Sequence, residues 1–139
     1  MTGKTILIVE DDGIIAARLH DILVRCGYVA LDPVASGEDA VAAVAASAPD
    51  LVLMDIQLAG AVNGTTATQH IREDFDVPIV FLTAFSQTDQ LRRAKLAAPY
   101  GYLVKPVAER ELLATLEMAL HRHEFDRRLK ESEERLALA

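Results

Sequence analysis

The stretch Ile6-Leu7-Ile8-Val9-Glu10-Asp11-Asp12 decides how this chain is read. Four consecutive β-branched or leucine residues do not alternate with polar ones. That is the pattern of a strand buried on both faces, and such strands belong to parallel sheets covered by helices. The strand, Thr5–Val9, stops abruptly at three acids. Comparable short apolar runs recur at Tyr28–Leu31, Leu51–Met54, Ile79–Leu82 and Tyr102–Val104. Between them the apolar residues take helical spacing. Ile15, Leu19, Ile22, Leu23 and Cys26 share one face of a first helix, which Gly27 is placed to end. Ser36, with Asp39 at capping-box spacing, opens a second helix that runs to Pro49. A third starts near Gly64 and ends before Pro78, a fourth covers Gln87–Ala97, and a fifth follows Pro106 and continues to the C-terminus. Five strands alternating with five helices predict an α/β domain with a doubly wound parallel sheet.

Open parallel sheets bind ligands beyond the carboxyl ends of their strands, where the strand order reverses. The residues at those ends are Glu10-Asp11-Asp12 after the first strand, Asp55 after the third, Thr83 then Ala84 after the fourth, and Lys105-Pro106 after the fifth. Each has an ordinary explanation taken singly. Asp12 is as well placed to cap a helix as to bind anything, and a lone lysine before proline is usually a solvated charge. Two groups of acids, a hydroxyl and an ammonium in chain order, each at a strand end, form a stronger signal than any one of them.

Their chemistry follows from charge. Crowded carboxylates repel, and one is driven towards protonation unless a cation compensates. An all-oxygen donor set favours a hard divalent ion, Mg2+ above all. Asp55 is a carboxylate nucleophile able to attack phosphorus and form an acyl phosphate. Lys105 and Thr83 are positioned to neutralise or hydrogen-bond the other phosphoryl oxygens. No Cys or His cluster has zinc spacing. His20, His70, His121 and His123 lie on helical segments away from the strand ends, where surface positions are expected.

Ile-Leu-Ile-Val-Glu-Asp-Asp, Leu-Met-Asp-Ile, Phe-Leu-Thr-Ala and Tyr-Leu-Val-Lys-Pro, in this order and approximate spacing, resemble the receiver domains of two-component response regulators, over about residues 4–122. The resemblance implies a flavodoxin-like fold with strand order 2-1-3-4-5 and phosphoryl transfer to Asp55 from a histidine kinase or phosphotransfer protein. It implies Asp11 as a direct Mg2+ ligand alongside Asp55, Glu10 acting on the metal through water, and the backbone carbonyl of Gln57 completing the protein ligands. Thr83 and Tyr102 resemble the pair whose coupled movement reports phosphorylation, and Lys105–Pro106 a peptide bond that is cis in the family. Two departures stand out. Ala59 takes the place of a common proline in the loop after Asp55, the stretch Gly60–Gly64 that follows is one residue longer, and Ala97–Tyr102 differs from the common version beside the family's output surface.

Composition narrows the alternatives. The 139 residues suit one domain, 51% of them are hydrophobic, and no run approaches the ~20 apolar residues that cross a bilayer. Met1-Thr2-Gly3-Lys4 leads straight into a strand, so no signal peptide is visible, and a cytoplasmic location is expected. Cys26 is the one cysteine, expected to be a buried thiol. A net charge of −7 argues against nucleic-acid binding by this chain alone. A phosphatase with an aspartate nucleophile wants a second Asp two residues on, where Gln57 stands; a flavin carrier needs a hydroxyl- and glycine-rich loop where Glu10-Asp11-Asp12 stands. The expectation is therefore a switch that catalyses only its own phosphorylation and dephosphorylation. It comprises a receiver domain, residues 1–122, and a helical extension or linker, residues 123–139. A sparse apolar stripe, Met118, Phe125, Leu129, Leu136 and Ala139, runs into that extension at partly heptad spacing, the pattern either of a short coiled coil or of a solvated helix fraying at its end. Lys130–Leu136 resembles the linker into a PAS-type sensory domain, as in a receiver linked to or excised from a larger protein. Self-association is expected through this helix or through the face of the fourth.

Overall fold

The computed structural model describes residues 3–58, 63–84 and 100–138. Its five strands are β1 (Thr5–Val9), β2 (Val29–Ala30), β3 (Leu51–Asp55), β4 (Ile79–Thr83) and β5 (Gly101–Val104). They form one parallel sheet in the order β2-β1-β3-β4-β5, as the family resemblance implied. The described helices are α1 (Gly13–Arg25), α2 (Gly37–Ser47), α3 (Gly64–Asp74) and α4 (Glu109–Leu138). The fourth helix read from the sequence, Gln87–Ala97, and the departures at Ala59 and Ala97–Pro99 lie outside the described residues.

Every side chain of β3 and β4 is buried, which their unbroken apolar runs require. Alternation along the strands divides the core into two layers. Ile6, Ile8, Leu51, Leu53, Val80, Leu82 and Leu103 pack beneath α1 and α4; Leu7, Val9, Val52, Met54, Ile79 and Phe81 pack beneath α2 and α3. β2 is a shorter edge strand than the run Tyr28–Leu31 suggests: only Val29 and Ala30 take register partners on β1, although Leu31 N donates to Ile6 O at 3.0 Å and Val34 meets Val9 again as an isolated bridge.

Helix ends follow local chemistry. Asp12 caps α1, its Oδ1 accepting from the backbone N–H groups of Ile14 and Ile15. Gly27, with φ of 92°, turns the chain out of α1 in a conformation that costs glycine little. Ser36 caps α2 by accepting from Asp39 N. Cys26 is half-buried against the core rather than fully enclosed. The histidines are less uniform than expected: His123 has a side chain only 16% exposed and meets Asp76 Oδ1 at 3.0 Å.

α4 passes residue 122 without a break. Beyond it the helix stays tied to the body by His123 and by the Tyr100 hydroxyl, which donates to Asp126 Oδ2 at 2.9 Å. Burial and the carboxylate of Asp126 push the Tyr100 phenol up to about 12.

Candidate functional site

Register brings the strand ends to one place. Val9 pairs with Met54, so Glu10 and Asp55 emerge side by side from adjacent parallel strands. Asp55 in turn pairs with Leu82, and Thr83 with Val104, which sets Lys105 one residue beyond the β5 end. Parallel neighbours lie ~4.8 Å apart, so carboxylates at matched positions on one face are forced together. Oxygens of Glu10, Asp11 and Asp55 all lie within 4.8 Å of one another. Glu10 and Asp55 are each 3% exposed, whereas Asp11 is open to solvent.

Lys105 holds the two buried acids. Its Nζ sits 2.6 Å from Glu10 Oε1 and 2.9 Å from Asp55 Oδ2. The other Asp55 oxygen, Oδ1, accepts from Gln57 N at 3.1 Å. Glu10 Oε1 is enclosed and has no well-aligned hydrogen-bond donor, so the short ion pair is what compensates its burial. Burial and the neighbouring Asp55 carboxyl push the Glu10 carboxyl above the usual range, against the lowering pull of Lys105. Glu10 is thus the crowded acid driven towards protonation. Burial alone lowers the Lys105 ammonium, but the close carboxyls of Glu10 and Asp55 outweigh it and the net direction is upward.

Three carboxylates face one ammonium, and the cleft they line with Gln57 and Ala84 is open to solvent at Asp11. The donor set is oxygen only. A hard divalent cation fits it, because it supplies the positive charge that Lys105 alone does not. Asp12 takes no part in that cluster; its oxygen is engaged at the α1 N-terminus. Thr83 is 4% exposed, and its hydroxyl donates to Ala84 O at 3.3 Å rather than to Asp55. Tyr102 packs against the α2/α3 core layer, its ring 6.2 Å from that of Phe81, the register partner beside it. The Lys105–Pro106 peptide bond is cis.

Two relationships were not legible in the sequence. Glu10 contacts Lys105 directly, where only an effect through metal-bound water was anticipated. Gly64 presses against the end of β3: its N–H donates to Ile56 O at 2.9 Å, and a β-carbon there would lie 2.8 Å from Ile56 Cα and 2.9 Å from Asp55 C. A glycine at a helix start shortly after the nucleophile was the one available signal for that contact.

Comparison with known proteins agrees with this architecture. A family model described as the response regulator receiver domain matches residues 6–117. The transcriptional regulatory protein PdtaR of Mycobacterium tuberculosis is 36% identical over 119 residues, 86% of this chain and 58% of its own length. The chain therefore spans little more than half of that curated relative, and 54% of a second, YrkP of Bacillus subtilis. Among solved structures, the signal receiver domain of a modulated diguanylate cyclase from Desulfovibrio desulfuricans superimposes with a TM-score of 0.84 at 36% identity, covering 88% of this chain and 98% of that one.

Proposed function

The chain belongs to the response regulator receiver domain family, and on that premise we propose that it is a phosphoacceptor switch working through Asp55. The observation that carries this reading is the pairing of Asp55 with Lys105 at a strand end shared with Glu10 and Asp11. In the proposed step, an Asp55 carboxylate oxygen attacks the phosphorus of a phosphohistidine on a histidine kinase or phosphotransfer protein. The new O–P bond forms as the N–P bond breaks, and the departing imidazole nitrogen keeps the electron pair and takes up a proton.

Before transfer, the Lys105 ammonium and Gln57 N–H hold the Asp55 carboxylate with each oxygen engaged. Asp11, Asp55, the Gln57 carbonyl and, through water, Glu10 are the groups assigned to Mg2+. That ion, when bound, supplies positive charge for the incoming phosphoryl oxygens. Lys105 is assigned to follow the phosphoryl group and neutralise a second oxygen, and the Thr83 hydroxyl to turn from Ala84 O towards a third. Phosphorylation adds charge and strong acceptors, so Thr83 is drawn inward and Tyr102, on the same face of the neighbouring strand, fills the space it leaves. The protein turns over only its own phosphoryl group. Residues 1–122 form the proposed receiver and 123–139 its extension, in the cytoplasm, with a kinase or phosphotransfer protein as donor and no nucleic-acid contact by this chain alone. No described helix is long and apolar enough to cross a membrane. Self-association is assigned to α4; the alternative surface, the fourth-helix face, lies outside the described residues.

Incubation with Mg2+ and acetyl phosphate, followed by intact mass, tests the reading. One phosphoryl adduct is expected on the native chain and none on Asp55→Asn, which keeps the shape but removes the nucleophile. An adduct of equal yield on Asp55→Asn refutes the assignment.

A further inference from the structure

α4 continues well beyond the domain body, and its outer face is patterned. At about 100° per residue, Met118, Phe125, Leu129 and Leu136 fall within about 40° of one another, roughly 130° away from Leu112, Leu116, Ala119 and His123 on the body side. All four are exposed, by 72, 65, 50 and 76% respectively. Their spacing is seven, four and seven residues, which places Met118 and Phe125 at d and Leu129 and Leu136 at a of one heptad frame. Arg122 is the polar residue at an a position. Its guanidinium stacks over the Tyr100 ring, 5.3 Å from the centroid, which draws the charge out of the seam.

From this frame we infer that α4 pairs with α4 of a second copy as a parallel, in-register coiled coil. The charges beside the stripe decide the direction. Asp126 and Glu133 occupy e positions, and Arg128 and Arg135 occupy g. In a parallel pair each g residue meets the e residue of the following heptad of its partner, so Arg128 of each copy faces Glu133 of the other. An antiparallel pair instead sets g against g and e against e, arginine against arginine and acid against acid. Arg128 is free to turn towards a partner without stranding a carboxylate. Its present contact, Glu124, is also held by Arg127 at 2.8 and 2.9 Å, and the Arg128 side chain is 76% exposed. Asp126 is already bonded to Tyr100, so the Arg128–Glu133 pairs carry the discrimination.

The inference rests on the proposed function only in assigning self-association to α4, and phosphorylation of Asp55 is scored separately by intact mass. The experiment is sedimentation equilibrium of the full chain, with and without beryllofluoride, for native protein, Arg128→Glu, Glu133→Arg and the double reversal. A dimer is expected. Each single reversal weakens it on the order of tenfold, because two symmetric attractions become repulsions, and the double reversal restores it. In a Cys26→Ser background, Ser132→Cys at a d position forms a disulfide-linked dimer on mild oxidation. A native chain that is monomeric with and without beryllofluoride, a single reversal that tightens association, or a double reversal that fails to restore it overturns the inference. An Asp55 adduct persisting in any of those cases leaves the phosphoacceptor reading standing.

Discussion

Gly64 lies so close to the end of β3 that a β-carbon on it would collide with the carbonyl oxygen of Asp55. The first residue of α3 and the proposed nucleophile are thus in backbone contact, and α3 holds Asp55 in place from behind. Asn63 caps that helix by accepting from Thr66 N, so cap, glycine and nucleophile form one continuous support.

Gly64→Ala should therefore act on the site as well as the fold. The atoms the new β-carbon would meet, Asp55 O, Asp55 C and Ile56 Cα, are all backbone, so the strand end or the helix must shift. A loss of about 1–3 kcal/mol of stability is expected, as for other overpacked positions. Phosphorylation by acetyl phosphate should slow by more than the unfolded fraction explains. Denaturant titration and intact-mass kinetics on one sample separate the two effects.

Asp11 is the exposed member of the acidic trio and has no resident counter-charge in the described contacts, so its removal should cost metal rather than fold. Asp11→Asn is expected to weaken Mg2+ binding at least tenfold, about 1.4 kcal/mol, and to slow phosphorylation in step. Mg2+ should raise the native melting temperature by mass action, with EDTA reversing it, and the increment should shrink in the variant. Equal Mg2+ affinity in a direct titration moves the metal elsewhere.

Lys105→Met leaves Glu10 and Asp55 facing each other with no cation between them. Breaking a buried pair strands the remaining charges, although the lysine side chain is 21% exposed and the loss is moderated. We expect about 1–3 kcal/mol lower stability in metal-free buffer by urea titration, with part of the loss recovered on adding Mg2+. No change in either buffer would show that the ammonium is not compensating those acids.

The Tyr100–Asp126 bond gives α4 a pH signature. The folded phenol is raised from 10 to about 12, so it holds its proton more tightly than in the unfolded chain. Its contribution is fully present below pH ~10 and is lost as pH rises through about 12. Burial raises Tyr28 and Tyr102 as well, so the check by ultraviolet titration is that Tyr100→Phe removes the latest-ionising of the three phenols. That variant should also lose amide protection in α4 beyond Arg122 more than before it. Unchanged exchange there would mean that the hydroxyl does not tether the helix.

The sequence by itself determined the strands, the parallel sheet and the identity of the pocket residues. The reason is topological. Continuous apolar runs mark doubly buried strands, and a parallel sheet collects all their carboxyl ends at one edge, so Glu10, Asp11, Asp55 and Lys105 are brought together by order alone. Only the tertiary structure decided that Lys105 holds Glu10 as well as Asp55, that Gly64 braces Asp55, and that Tyr100 and Asp76 bind α4 beyond residue 122. Those relationships join segments distant along the chain through ångström-scale separations. Periodicity places a residue on a face or at a strand end, but hydrogen bonds and steric exclusion depend on where the neighbouring element lies, and packing alone fixes that distance.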